Sequence, residues 1–152
     1  TMIKRTRTPC IGICSTTYGD EVCRGCKRFS TEVINWNSFS PDEREAVWQR
    51  LEKLKIQIMS SRVNIFDEEL MQKSVDVYQI KVKEDISPLS KAFEIIKQIS
   101  QSFDDLKEFG IDLKKENISL ESLKNEIETE LYTLSKAHYD RYFVEPLNKE
   151  IS

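Results

Sequence analysis

The chain has 152 residues, of which 39% are hydrophobic and 32% charged, with a formal net charge of −3. It is apolar enough to exclude general disorder, and its length fits one domain or a small module joined to a second. With only four glycines and four prolines, tight turns are scarce, which disfavours a meandering all-β fold and favours helices.

The charge is unevenly placed. Residues 1–28 hold Lys4, Arg5, Arg7, Arg24, Lys27 and Arg28 against Asp20 and Glu21, a balance of +4 that leaves −7 for the remainder. The front is basic and the body acidic, so attraction to an anionic partner would lie at the front. No apolar run approaches the ~20 residues that cross a bilayer. Cys10 and Gly12 stand where an export signal would have its apolar stretch. The expectation is a cytoplasmic protein, neither exported nor membrane-embedded.

All four cysteines fall in the opening segment, as Cys10, Cys14, Cys23 and Cys26, in the order C-x3-C-x8-C-x2-C. Two cysteines two or three residues apart can turn their sulfurs toward one point, and two such knuckles supply four thiolates. A tetrahedral zinc ion or an iron–sulfur cluster requires that donor set. Gly12 and Gly25 offer backbone freedom where the knuckles need it. Paired disulfides are the competing reading, and a reducing compartment disfavours them. One structural zinc ion is the first expectation, because a closed four-thiolate site needs no redox accessory residues; an iron–sulfur cluster is the alternative. Either centre carries a formal charge of −2, which Arg24, Lys27 and Arg28 would offset.

After the last cysteine, Ser30-Thr31-Glu32 predicts a short helix with a hydroxyl cap, broken at Asn37-Ser38. Val33, Ile34 and Trp36 would fold it back over the cysteines. Ser40-Pro41-Asp42-Glu43 then has the form of a capping box. The helix it opens carries Val47, Leu51, Leu54 and Ile58 at helical spacing and runs to about Met59. Trp36, Phe39 and Trp48 are expected to pack around the metal module, which is too small to build a core unaided.

Pro9-Cys10-Ile11-Gly12-Ile13-Cys14, Cys23-Arg24-Gly25-Cys26-Lys27-Arg28, Glu32-Val33-Ile34-Asn35-Trp36 and Asp42-Glu43-Arg44 together resemble a family of short bacterial proteins, domain of unknown function 1289, labelled as predicted iron–sulfur proteins. The resemblance covers roughly residues 8–55. It implies a bacterial source and a centre bound by Cys10, Cys14, Cys23 and Cys26, and it implies no reaction.

Residues 60–86 read as a connector. Met71, Val75, Tyr78 and Val82 fit a helical face, and a small hairpin with Arg62–Phe66 is the second choice. Ser87-Pro88 opens a helix whose stripe of Leu89, Ala92, Ile96, Ile99, Phe103 and Leu106 would end at Gly110. A last helix from near Ser119 carries Leu123, Ile127, Leu131, Leu134, His138 and Tyr142. The two would close as an antiparallel helical hairpin. His138, the sole histidine, reads as a partly buried structural residue. Asp67-Glu68-Glu69 and Glu126-Glu128-Glu130 read as solvated helix faces.

The expected architecture is therefore mainly α: a four-cysteine metal-binding knuckle module with capping helices (1–59), a connector (60–86) and a helical hairpin tail (87–152). No phosphate loop, nucleophile elbow or paired metal-binding carboxylates point to an enzyme. The function expected is a metal-stabilised binding or adaptor protein that meets a protein partner through its acidic helical tail, with the oligomeric state open. An iron–sulfur redox or sensor protein is the alternative. A nucleic-acid-binding module, with Arg24, Lys27 and Arg28 as the phosphate contacts, is the second alternative.

Overall fold

A computed structural model describes residues 8–9, 15–83, 86–115 and 117–144. Local chemistry sets where each helix begins. Helix α1 (Ser30–Asn35) starts one position earlier than the Ser30 hydroxyl suggested. Phe29 is its cap residue, and the Glu32 carboxylate accepts the Phe29 N–H at 2.8 Å. A 3-10 turn at Trp36–Ser38 ends it. Helix α2 (Pro41–Arg62) opens with the capping box: Ser40 Oγ accepts the Glu43 N–H at 3.2 Å, and the Glu43 carboxylate accepts the Ser40 N–H at 3.0 Å. Two donors that the first turn leaves unpaired are thus satisfied reciprocally.

Strand β1 (Val63–Ile65) follows α2 directly. Asp67 then caps helix α3 (Glu68–Val77), its carboxylate accepting the Leu70 N–H at 3.0 Å. Ser87 caps helix α4 (Pro88–Ile99), which has proline at its first position. Strand β2 (Ile111–Leu113) pairs antiparallel with β1, Val63 opposite Leu113 and Ile65 opposite Ile111. Helix α5 (Leu120–Tyr139) begins at Ser119, whose Oγ accepts the Ser122 N–H at 3.1 Å, and runs into a wide turn at Asp140–Val144. The fold is mainly helical, as composition suggested. No helix among the described residues is long and apolar enough to cross a membrane.

Contacts group the chain into two compact units, one formed by residues 1–54 with 131–152 and the other by residues 55–130. This grouping differs from the segments 1–59, 60–86 and 87–152. In the second unit α3 leans on a 3-10 turn at Lys107–Phe109. Ser74 Oγ donates to the Glu108 carbonyl at 2.5 Å and the Tyr78 hydroxyl to the Glu108 carboxylate at 2.6 Å. The rings of Tyr78, Phe103 and Phe109 meet with centroids 5.0–5.7 Å apart. Phe93, Ile96, Ile99, Leu106, Ile111 and Ile127 fill the core of this unit.

Several expectations change here. The helix expected to reach Gly110 ends at Ile99, because Phe103 and Leu106 face this core from a turn. They share the spacing of the helical stripe but not its backbone. Residues 100–119 therefore hold a 3-10 turn and a strand where the end of that helix and a short turn were expected. Residues 63–65 are a strand, but their partner is 111–113, not the β-favouring stretch near 75–82. That stretch is the end of α3, a turn and an irregular segment, where the Gln98 amide bonds both the N–H and the carbonyl of Lys81. The Glu126–Glu130 run is no free solvated face: Arg62 pairs with Glu126 at 2.8 Å and Glu130 at 2.6 Å.

In the first unit Trp36, Val47 and Leu51 form a buried cluster with Phe39 and Trp48 packed on it. Ile34, expected over the cysteines, is 78% exposed. Along α5 the buried face continues from Leu131 in a step of four to Ser135, so Leu134 and His138 are only partly buried and Tyr142 is exposed. Beyond Tyr139 the wide turn shifts the register, which carries Tyr142 off the stripe.

Candidate metal centre

Cys10 and Cys14 lie outside the described residues. Cys23 and Cys26 lie within them, and both are buried, 1% and 9% exposed. The loop between them is closed at its base by Val22 bridging Phe29, with the Cys23 N–H donating to the Arg28 carbonyl at 2.8 Å. The Lys27 N–H returns to the Cys23 carbonyl at 2.8 Å. This tight return needs a left-handed residue. Lys27 takes it, at φ +67, while Gly25, expected to supply the freedom, does not. A left-handed lysine costs energy that glycine would not. Its ammonium donates to the carbonyls of Arg24 at 2.5 Å and Gly25 at 3.1 Å, which ties the side chain down over the loop.

The two thiols sit in different environments. Burial alone would push Cys23 up. The N–H groups of Cys26, Ser15 and Gly25, with the Cys26 thiol, converge on its sulfur and bring it down to about 7. Burial dominates at Cys26 and raises it, although the Arg28 guanidinium works against this. Arg28 Nε donates to Cys26 Sγ at 3.2 Å. A thiol poised to lose its proton near neutrality suits a metal ligand or a nucleophile.

Ser15, the residue after Cys14, is held on this loop twice. Its N–H reaches the Cys23 sulfur, and its Oγ accepts the Arg24 N–H at 2.8 Å. A 3-10 turn at Ser15–Tyr18 and Gly19, at φ +98, then lead back to Asp20.

The three cations expected at the front separate. Arg24 is exposed, pairs with Asp20 at 3.3 Å and lies 4.5 Å over the Tyr132 ring. Lys27 and Arg28 are buried, 5% and 4% exposed. Arg28 stacks 5.0 Å from the Trp36 ring, which Arg44 approaches from elsewhere at 5.8 Å. Two of the three charges expected to meet phosphates therefore point into the protein.

Other partners were not visible in the sequence. The C-terminal part of α5 lies against this loop: Lys136 pairs with Glu21, and Phe29 meets Tyr139 and Phe143 edge-on at 5.5 and 5.7 Å. Arg50 covers the Phe29 ring at 4.0 Å and holds Glu32 by two bonds at 2.5 and 2.7 Å. The only local signal was Glu32 in the first turn of α1. His138 keeps its ring against Tyr142, and its Nδ1 is buried without a hydrogen-bond partner among the described residues.

No curated protein and no solved structure matches the chain significantly. Residues 8–55 match the profile of a family described as protein of unknown function, DUF1289. This span, about a third of the chain, runs from just before Cys10 into α2. By that match residues 8–55, which take in the knuckle loop, α1 and the larger part of α2, are similar to the DUF1289 family.

Proposed function

We propose that the chain is a metal-stabilised, non-enzymatic binding protein in which Cys10, Cys14, Cys23 and Cys26 hold one zinc ion. The supporting observation is the loop at Cys23–Cys26: two buried cysteine side chains on a tight return, with the residue after Cys14 bonded to the Cys23 sulfur. The Cys26 side chain hydrogen-bonds to Cys23, which puts the two sulfurs near enough to serve as two ligands of one tetrahedral ion. Buried thiols in an aqueous, reducing compartment such as the cytoplasm stay available for metal. Zinc coordination contributes roughly 10–16 kcal/mol in small modules, enough to decide whether such a module folds.

The zinc would be structural. It closes the module from which α1 and α2 depart, and the acidic helical tail is the surface on which a protein partner would dock. Nucleic-acid binding through Arg24, Lys27 and Arg28 is not the reading we advance, because only Arg24 offers its charge to solvent.

Metal analysis of protein purified anaerobically tests the reading. One zinc per chain and no visible absorbance are expected. A brown protein with iron and acid-labile sulfide would replace zinc by an iron–sulfur cluster on the same four cysteines. Protein that holds neither metal, and takes up neither on reconstitution, would overturn the proposal.

A further inference from the structure

We propose that Arg28 is the built-in counter-cation of the cysteine centre and positions Cys26 through an N–H···S hydrogen bond. The inference rests on the metal reading above and goes further, in assigning one of three local cations to the centre and naming the contact through which it acts. A guanidinium stays charged at any working pH, and burying a charge is unfavourable unless an anion or strong acceptors meet it. Arg28 is 4% exposed, yet among the described residues no carboxylate pairs with it. Its side-chain hydrogen bond runs from Nε to Cys26 Sγ at 3.2 Å. A neutral thiol is a weak acceptor and leaves the cation poorly compensated. A thiolate bound in a centre of net charge −2 supplies the missing negative charge, and the hydrogen bond then becomes charge-assisted.

Geometry separates Arg28 from its neighbours. Arg24 is turned outward to Asp20 and Tyr132, and the Lys27 ammonium is bonded to carbonyls of the loop itself. The Arg28 guanidinium is held on the Trp36 ring, which is anchored by Val47 and Leu51. A planar fork stacked on a fixed ring has few ways to turn, so Nε remains aimed at the sulfur. Partners of this kind orient ligands and tune the electron density of the metal, and their loss commonly lowers metal affinity 10- to 100-fold.

The test uses the full chain with zinc and with cobalt(II), whose thiolate charge-transfer band reports the sulfur environment. Zinc affinity is measured by competition with a chromogenic chelator. Arg28→Gln should weaken zinc by roughly 10- to 100-fold and shift the cobalt band, with helical circular dichroism retained. Arg28→Lys, which keeps the charge without the flat fork, should recover part of the affinity. Arg44→Gln removes the other arginine on Trp36 and should leave affinity and band unchanged. If Arg28→Gln binds zinc as tightly as the unaltered chain with an unshifted band, the role of Arg28 falls and the metal reading stands. An equal loss in Arg44→Gln would reduce the effect to packing on Trp36 and also overturn it. Should Arg28→Gln not fold, Arg28→Lys decides: unaltered affinity together with an unshifted band would reject the N–H···S contact. An unaltered chain that binds no zinc or cobalt overturns both proposals.

Discussion

Gly110 stands at φ +69, and a Cβ there would lie 2.1 Å from the Asp67 carbonyl oxygen. Its own carbonyl accepts the Phe66 N–H at 2.9 Å, so Gly110 cannot move away without losing the bond that ties it to the link between β1 and α3. Gly110→Ala should therefore cost roughly 3 kcal/mol, visible as a lower urea midpoint. The glycine was legible in the sequence as a helix terminator, but its real duty, closeness to Asp67, was not. The cysteines show the same division. Their spacing alone marked them as candidate ligands, whereas the burial of Lys27 and Arg28 and the left-handed Lys27 depend on the folded loop. Cys23→Ser or Cys26→Ser should abolish stoichiometric metal binding, because a serine hydroxyl is a poor zinc ligand at neutral pH. Retained binding of one metal per chain in either variant would remove that residue from the ligand set.

Helix starts were the most legible elements. A capping box needs only three side chains within one turn, so Ser40 and Glu43 could be read directly and were found bonded as expected. Ser40→Ala should cost about 1 kcal/mol in chemical denaturation, with the helix otherwise unchanged. Helix ends were less legible, since Phe103 and Leu106 serve a core and not a helix face. The contact between α2 and α5 through Arg62 adds a pH dependence. Burial pushes the Glu126 carboxyl up, but Lys115 and Arg62 outweigh it and hold the group below its ordinary 4.5. A carboxyl lowered in the folded state stabilises the fold above 4.5, and this contribution is lost as pH falls through the lowered value. Urea midpoints should drop between pH 5 and pH 3, and the drop should be smaller in Arg62→Gln. Equal slopes in the two proteins would show that the pair contributes nothing measurable.

Over the whole molecule, the first unit combines the knuckle loop with the far end of α5, which the sequence had placed in a separate tail. Stripping the proposed zinc with a chelator should therefore loosen both parts of that unit together. Amide exchange is expected to accelerate at 22–29 and at 131–139, while the β1–β2 pairing and α3 of the second unit keep their protection. Acceleration confined to 22–29 would show that the end of α5 does not depend on the loop. The β1–β2 pairing itself was beyond sequence reading. Each strand is three residues long and carries no alternation strong enough to name its partner.

The sequence by itself determined the helical class, the starts of α2, α4 and α5 and the cysteine pattern, because each is decided by side chains within a turn or a short loop of one another. Only the tertiary structure decided which strand meets which, where α4 stops, which cations are buried and that α5 returns to the knuckle loop. Those outcomes depend on burying apolar surface and pairing charges between residues distant in the chain, and that energy leaves no periodic mark on the local sequence.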